Sequence, residues 1–152
     1  MAISSTRPQA LPPLRRVLIV GGGGREQALA WALSRNEENT TLWIAPGNGG
    51  PEGLAVDLAE TDSEALVAFC RQKDVDLVVV GPEAPLAAGV ADALRSADIA
   101  VFGPDAAGAQ LEASKAWAKQ LMHEAAVPTA GHWSVHSEDE ALAVLHELKR
   151  PL

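Results

Sequence analysis

Apolar residues in this chain occur in two rhythms: short continuous runs, and longer stretches in which they recur every three or four positions. The runs are RVLIV (16–20), TTLWIA (40–45), VDLVVVG (75–81) and IAVFG (99–103). Short and rich in apolar and β-branched residues, they predict strands, RVLIV in particular a parallel strand covered on both faces. Between the first two, from Gly24 to about Arg35, the positions Ala28, Leu29, Trp31, Ala32 and Leu33 suit a helix packed on a sheet. TDSEALVAFCRQK predicts a second helix, with Thr61, Asp62 or Ser63 as its N-cap and Glu64 completing a T-x-x-E capping box with Thr61. PEAPLAAGVADALRSAD predicts a third, from about Leu86 to Ser96. Strand alternating with helix through short links reads as an α/β fold, a doubly wound parallel sheet with right-handed crossovers.

After Gly103 the alternation stops. Residues 105–111 and about 114–125 read as two helical pieces, capped by Asp105 and Ser114. HWSVHS is a short extended piece, and SEDEALAVLHELKR is a helix with Ser137 as cap and Glu140 closing an S-x-x-E box. Pro151 and Leu152 then read as the entry to another strand, so the chain is expected to be the N-terminal piece of a longer one. Residues 1–14, with three prolines and no apolar core of a signal segment, read as a disordered extension. The expected division is therefore 1–14, an α/β domain at 15–104, and the start of a second domain at 105–152.

Composition narrows the function classes. A chain of 152 residues, 47% hydrophobic and 21% charged, suits one globular domain with a core. A net charge of −8 argues against nucleic acid and anionic membrane as partners. Cys70 is the single cysteine, so no intrachain disulfide forms; this suits a reducing compartment, and a cytoplasmic monomer is expected. Within ALVAFCRQK it reads as a buried helix residue. His123, His132, His136 and His146 form no ligand pattern, and no metal is assigned to them. The four tryptophans read as packing.

The chemistry concentrates at VLIVGGGGREQALAWAL (17–33). A dinucleotide fingerprint needs G-x-G-x-x-G and an acid ending the second strand. The third glycine position holds Glu26 or Gln27, and the strand ends in Ala45-Pro46. A triphosphate P-loop needs a Lys and a hydroxyl that are also missing. A monophosphate such as a sugar phosphate remains: glycines let the backbone approach, and a helix N-terminus favours an anion. APGNGG (45–50), VGPEAP (80–85) and FGPDA (102–106) follow the other strands, on the edge where open α/β sheets place ligands. Gly22, Gly23, Gly24 and the amides of Arg25 and Glu26 are the candidate phosphate cradle, with Arg25 as a charged clamp. Pro46, Gly47 and Asn48 are candidates for a ribose-facing loop. Glu83, in a rigid turn between two prolines, is a candidate acceptor for ribose hydroxyls or a substrate amine. Lys115 lies in the first turn of the helix that Ser114 caps, where a cation opposes the dipole by about 0.3–1 kcal/mol. An anion would reverse that sign. Lys119, one turn on, reads as a surface charge.

Taken in order, VLIVGGGGREQALAWAL, APGNGG, DLVVVGPEAPLAAGVADALR, VFGPDAAGAQLEASKAWAKQLM and VPTA resemble the N-terminal region of the phosphoribosylamine–glycine ligase family, over about residues 16–152. Two departures are visible: Gln27 stands where the family's GGREHAL has histidine, and Ala113 stands where its GSK has glycine. The resemblance implies a Rossmann-like, pre-ATP-grasp domain followed by the first helices of an ATP-grasp region. It implies ATP-dependent joining of glycine to 5-phosphoribosylamine in purine synthesis, through a glycyl phosphate, with magnesium or manganese accompanying the ATP. Under it Lys115 contacts ATP, the metal ligands lie beyond residue 152, and no catalytic residue falls in this piece, which is expected to be inactive alone. Two other readings stand beside it. A nicotinamide-dependent oxidoreductase follows from the glycine run alone. A receiver-like regulatory module follows from the α/β alternation, but lacks an acidic cluster after the first strand.

Overall fold

A computed structural model describes residues 14–35 and 40–148. The expected extension, apart from Leu14, and the expected strand entry at Pro151 lie outside the described residues. The chain divides into two compact units, one running to Ala109 and the other starting at Gln110. The division falls inside a helix, a few residues after the boundary expected at 104.

The first unit is a sheet of five parallel strands: β1 (Arg16–Val20), β2 (Thr41–Ala45), β3 (Leu54–Ala55), β4 (Leu77–Val80) and β5 (Val101–Phe102), in the order β3-β2-β1-β4-β5. Its helices are α1 (Gly24–Ser34), α2 (Ser63–Lys73), α3 (Glu83–Ala87) and α4 (Val90–Ser96). Side chains alternate across a strand, so β1 and β4 feed two cores. Leu18, Val20, Val78 and Val80 pack with Leu66, Cys70, Val90 and Leu94 of α2 and α4. Val17, Ile19 and Val79 pack with Leu42, Ile44 and Ala30 of α1 on the opposite face. All four apolar residues of β1 are fully buried, which is why that stretch shows no polar alternation. The sheet is doubly wound, as expected.

Local details differ from the sequence expectations. The N-cap of α2 is Asp62, whose carboxylate accepts the Ala65 amide at 3.0 Å, and Thr61 makes no box with Glu64. Of three adjacent cap-forming residues, the aspartate is the one whose side chain caps the helix. The expected helix 86–96 is two helices, α3 starting at Glu83 and α4 starting after Gly89, whose φ of 86° interrupts the turn. Glu83 is thus the first residue of a helix and not part of a turn. The last strand shrinks to Val101–Phe102, and β3 follows a glycine loop with too few residues to show a period.

α5 (Ala106–Ala113) spans the division between the units. The Gly108 amide donates to Asp105 at 2.6 Å, the expected cap. The second unit continues with α6 (Lys115–Glu124) and α7 (Glu138–Glu147). Ser114 accepts the Trp117 amide at 3.3 Å and Ser137 the Glu140 amide at 3.2 Å. Glu140 reaches back to the amide of His136, one residue before the cap. HWSVHS joins no strand among the described residues. No helix among the described residues is long and apolar enough to cross a membrane.

Candidate functional site

Register builds the site's floor. Val20 is paired with Ala45 on one side and Val80 on the other, so Gly21, Pro46 and Gly81 leave the sheet level with one another. The Gly21 amide donates to the Ala45 carbonyl at 2.8 Å and the Gly81 amide to the Val20 carbonyl at 3.0 Å. Strand order reverses between β1 and β4, and at that switch point open α/β sheets form a crevice.

Glu26 fills it. Its side chain, 3% exposed, lies against Gly21 and Gly81. A Cβ on Gly21 would come within 2.8 Å of Glu26 Cγ and 2.6 Å of the Pro82 ring, and the φ of 125° there already demands glycine. A Cβ on Gly81 would overlap Glu26 Oε1. The carboxylate accepts the Gly23 amide at 2.7 Å through Oε2 and Arg25 Nε at 2.9 Å through Oε1. Burial alone would raise its pKa. The bonds from Arg25, from the Gly23 amide and from its own amide outweigh burial and hold it below the ordinary carboxylate range. Glu26 therefore occupies the space that the third glycine of a dinucleotide fingerprint leaves open.

This narrows the expected phosphate cradle. The amides of Gly23 and Glu26 face the protein's own carboxylate and are not free for a ligand. Glu26 itself is too buried to touch one. Gly22, Gly24 and Arg25 are exposed, and nothing lies within 4 Å of where a Cβ on Gly24 would sit. Open space thus lies in front of the first residue of α1, at the positive end of its dipole.

The neighbouring glycine loop closes one side of that space. A Cβ on Gly22 would stand 3.1 Å from the Gly47 carbonyl oxygen and 3.8 Å from the Pro46 ring. Asn48 Nδ2 donates to the Gly23 carbonyl at 3.4 Å, and its Oδ1 accepts the Gly50 amide at 3.0 Å. The structure thus brings Gly22–Glu26 together with Pro46, Gly47 and Asn48. The Pro82 ring against Gly21 starts α3 from the same edge, and Glu83 lies exposed there. Lys115 opens α6 in the second unit, exposed to solvent. Among the described residues no group of three His, Cys, Asp or Glu comes together to hold a metal.

One pair escaped the sequence reading. Gln27 donates through Nε2 to Glu52. Glu52 is the one acid in the GNGGPEG loop, and nothing local tied it to a helix residue 25 positions earlier.

The model of the Phosphoribosylglycinamide synthetase, N domain, family matches residues 15–112. The chain belongs to this family. Among curated proteins similar to it, phosphoribosylamine–glycine ligase of Rhizobium meliloti is 46% identical over 139 residues, covering 90% of this chain and 33% of that protein. The ligase of Vibrio cholerae is 43% identical over 141 residues, with the same coverage. That of Nostoc is 51% identical over 119 residues, covering 76% of this chain and 28% of that protein. The chain thus spans about a third of the length of these relatives. Among solved structures, a glycinamide-RNase-transformylase T from Mycobacterium tuberculosis matches 90% of this chain with a TM-score of 0.59 at 24% identity, covering 40% of that chain. The biotin carboxylase domain of a single-chain bacterial carboxylase matches 88% with a TM-score of 0.57 at 20% identity, covering 34% of that chain. These likenesses concern the fold. The family's matched stretch holds all the glycine loops of the site and ends before Lys115.

Proposed function

We propose that this chain is the part of a phosphoribosylamine–glycine ligase that holds the amine substrate. The observation that carries this reading is the open space before Gly24, at the start of α1, on the edge where the loops after β1, β2 and β4 leave the sheet together. There the exposed Gly22 and Gly24 backbone and the Arg25 side chain, itself 53% exposed, receive the phosphate of 5-phosphoribosylamine. Pro46, Gly47 and Asn48 face its ribose. Glu83 is proposed as an acceptor for hydroxyls or the amine, and Lys115 as a contact to the phosphates of ATP.

In the reaction so proposed, a glycine carboxylate oxygen attacks the γ-phosphorus of ATP and ADP leaves. The phosphoribosylamine nitrogen then attacks the resulting acyl phosphate carbon. Phosphate departs, the nitrogen loses a proton, and glycinamide ribonucleotide remains. This chain's part is to fix the amine-bearing sugar so that its nitrogen is presented in one orientation, an entropic contribution. The described residues offer no ligand set for magnesium or manganese, and no step is assigned to either ion in this chain. A small-molecule enzyme acting as a cytoplasmic monomer is part of the same reading.

The test is turnover. The chain alone, given ATP, glycine and 5-phosphoribosylamine, is expected to release no ADP. Joined to the remaining two thirds of a related phosphoribosylamine–glycine ligase, it should release ADP only when both other substrates are present. ADP release that ignores either substrate, or full turnover by this chain alone, would contradict the proposal.

A further inference from the structure

Two consecutive residues in the first turn of α1 reach in different directions: Glu26 into the β1–β4 crevice, Gln27 toward the loop after β2. That loop carries Gly47, Gly49, Gly50 and Gly53, so its unrestrained backbone has more conformational freedom to lose than an ordinary segment. A few side-chain bonds fasten it. Asn48 bonds to Gly23 and Gly50, and Gln27 bonds to Glu52. The Gln27 amide lies so close to Gly50 that a Cβ there would overlap it. Gln27 Oε1 is meanwhile buried without a hydrogen-bond partner. Such an orphan acceptor calls for an explanation. Here the amide is turned to give its N–H to a carboxylate, a charge-assisted bond that offsets the unpaired carbonyl.

We propose that Gln27 and Glu52 form a latch holding the Pro46–Gly53 loop against the start of α1, so that Gln27 is a positioning residue for the sugar-phosphate ligand. The inference rests on the reading of that loop as ribose-facing. Neither residue touches the ligand. With the latch closed the loop is ordered before the ligand arrives, and binding does not have to supply that ordering.

Four variants of the chain test this: Gln27→Ala, Glu52→Ala, Glu52→Gln and Gly50→Ala, whose backbone accepts alanine while its Cβ displaces the Gln27 amide. Two readouts are taken: amide hydrogen exchange of residues 47–53 without ligand, and calorimetric affinity for ribose 5-phosphate. Gln27→Ala, Glu52→Ala and Gly50→Ala are each expected to speed loop exchange about tenfold and to weaken binding several-fold. The double variant of Gln27 and Glu52 should be no worse than either single one. Glu52→Gln keeps an acceptor and should recover most of both properties. Unchanged exchange overturns the latch. Faster exchange with unchanged affinity overturns its role toward the ligand. If exchange responds while the unaltered chain shows no binding at millimolar sugar phosphate, the sugar-phosphate reading fails, and the ligand role of Gln27 with it.

Discussion

At the residue scale, glycines 21 and 81 are explained by a side chain and not by a ligand: both make room for Glu26. Gly81→Ala forces a methyl into a pinned carboxylate and is expected to cost about 1–3 kcal/mol, read as a fall in the denaturation midpoint. The sequence revealed the need for close approach at VGGGG. It hid what approaches, because the partner of Gly81 is 55 positions away in the chain and Glu26 looks like an ordinary first-turn acid. Asp76 is another pinned carboxylate. It accepts Arg16 Nη2 at 3.0 Å and the Arg15 and Arg16 amides at 3.0 and 2.8 Å. The Arg16 bond, against a smaller opposing effect of burial, holds its pKa below the ordinary value, helped by those two amides. Folded pKa values lowered in this way give stabilisation that is present above about pH 4 and lost as acid carries the pH through the lowered values. Thermal melting midpoints should therefore fall below about pH 4, and Asp76→Asn should make that fall shallower. Cys70 is the opposite case. Burial pushes its thiol up to about 11, so it should be inert to a thiol reagent at pH 8 until the chain is unfolded.

At the element scale, the apolar runs were legible because both faces of β1 and β4 are covered, which leaves Val17–Val20 and Leu77–Val80 without a polar residue. Short elements were less so. β5 was expected from IAVFG and is only Val101–Phe102, while β3, Leu54–Ala55, was not expected, its two residues amounting to a single period of alternation. The break at Gly89 was hidden in an alanine-rich stretch whose propensity favours one continuous helix. Caps were legible as chemistry but not always as position. Asp62→Ala should lower stability by about 1 kcal/mol, whereas Thr61→Ala should change it by a few tenths, as denaturant midpoints would show.

At the scale of the molecule, the two units differ in what they bury. The first encloses the two apolar cores on either face of its sheet. In the second, Ala118 is the one buried residue among those described, while Trp117, Trp133, Val135, Leu142 and Leu145 are exposed. A unit with so little burial opens at low cost. Limited proteolysis should cut first between about 110 and 148 and leave a resistant piece ending near Ala109, identified by mass; simultaneous loss of both units would contradict this. The site's glycine loops were legible as an edge of the sheet, and the family resemblance in their order proved sound. Lys115, proposed as a contact to ATP, lies in the other unit.

The account as a whole turns on the space before Gly24. Calorimetry of the chain with ribose 5-phosphate, beside a Gly24→Val variant with an unchanged melting midpoint, addresses it most directly. A Cβ on Gly24 would meet no atom from elsewhere in the fold within 4 Å, so the valine side chain is expected to fill ligand space. The account predicts one saturable site in the unaltered chain and at least about tenfold weaker binding in the variant. Equal affinity in both, or no heat at millimolar ligand in either, would contradict it.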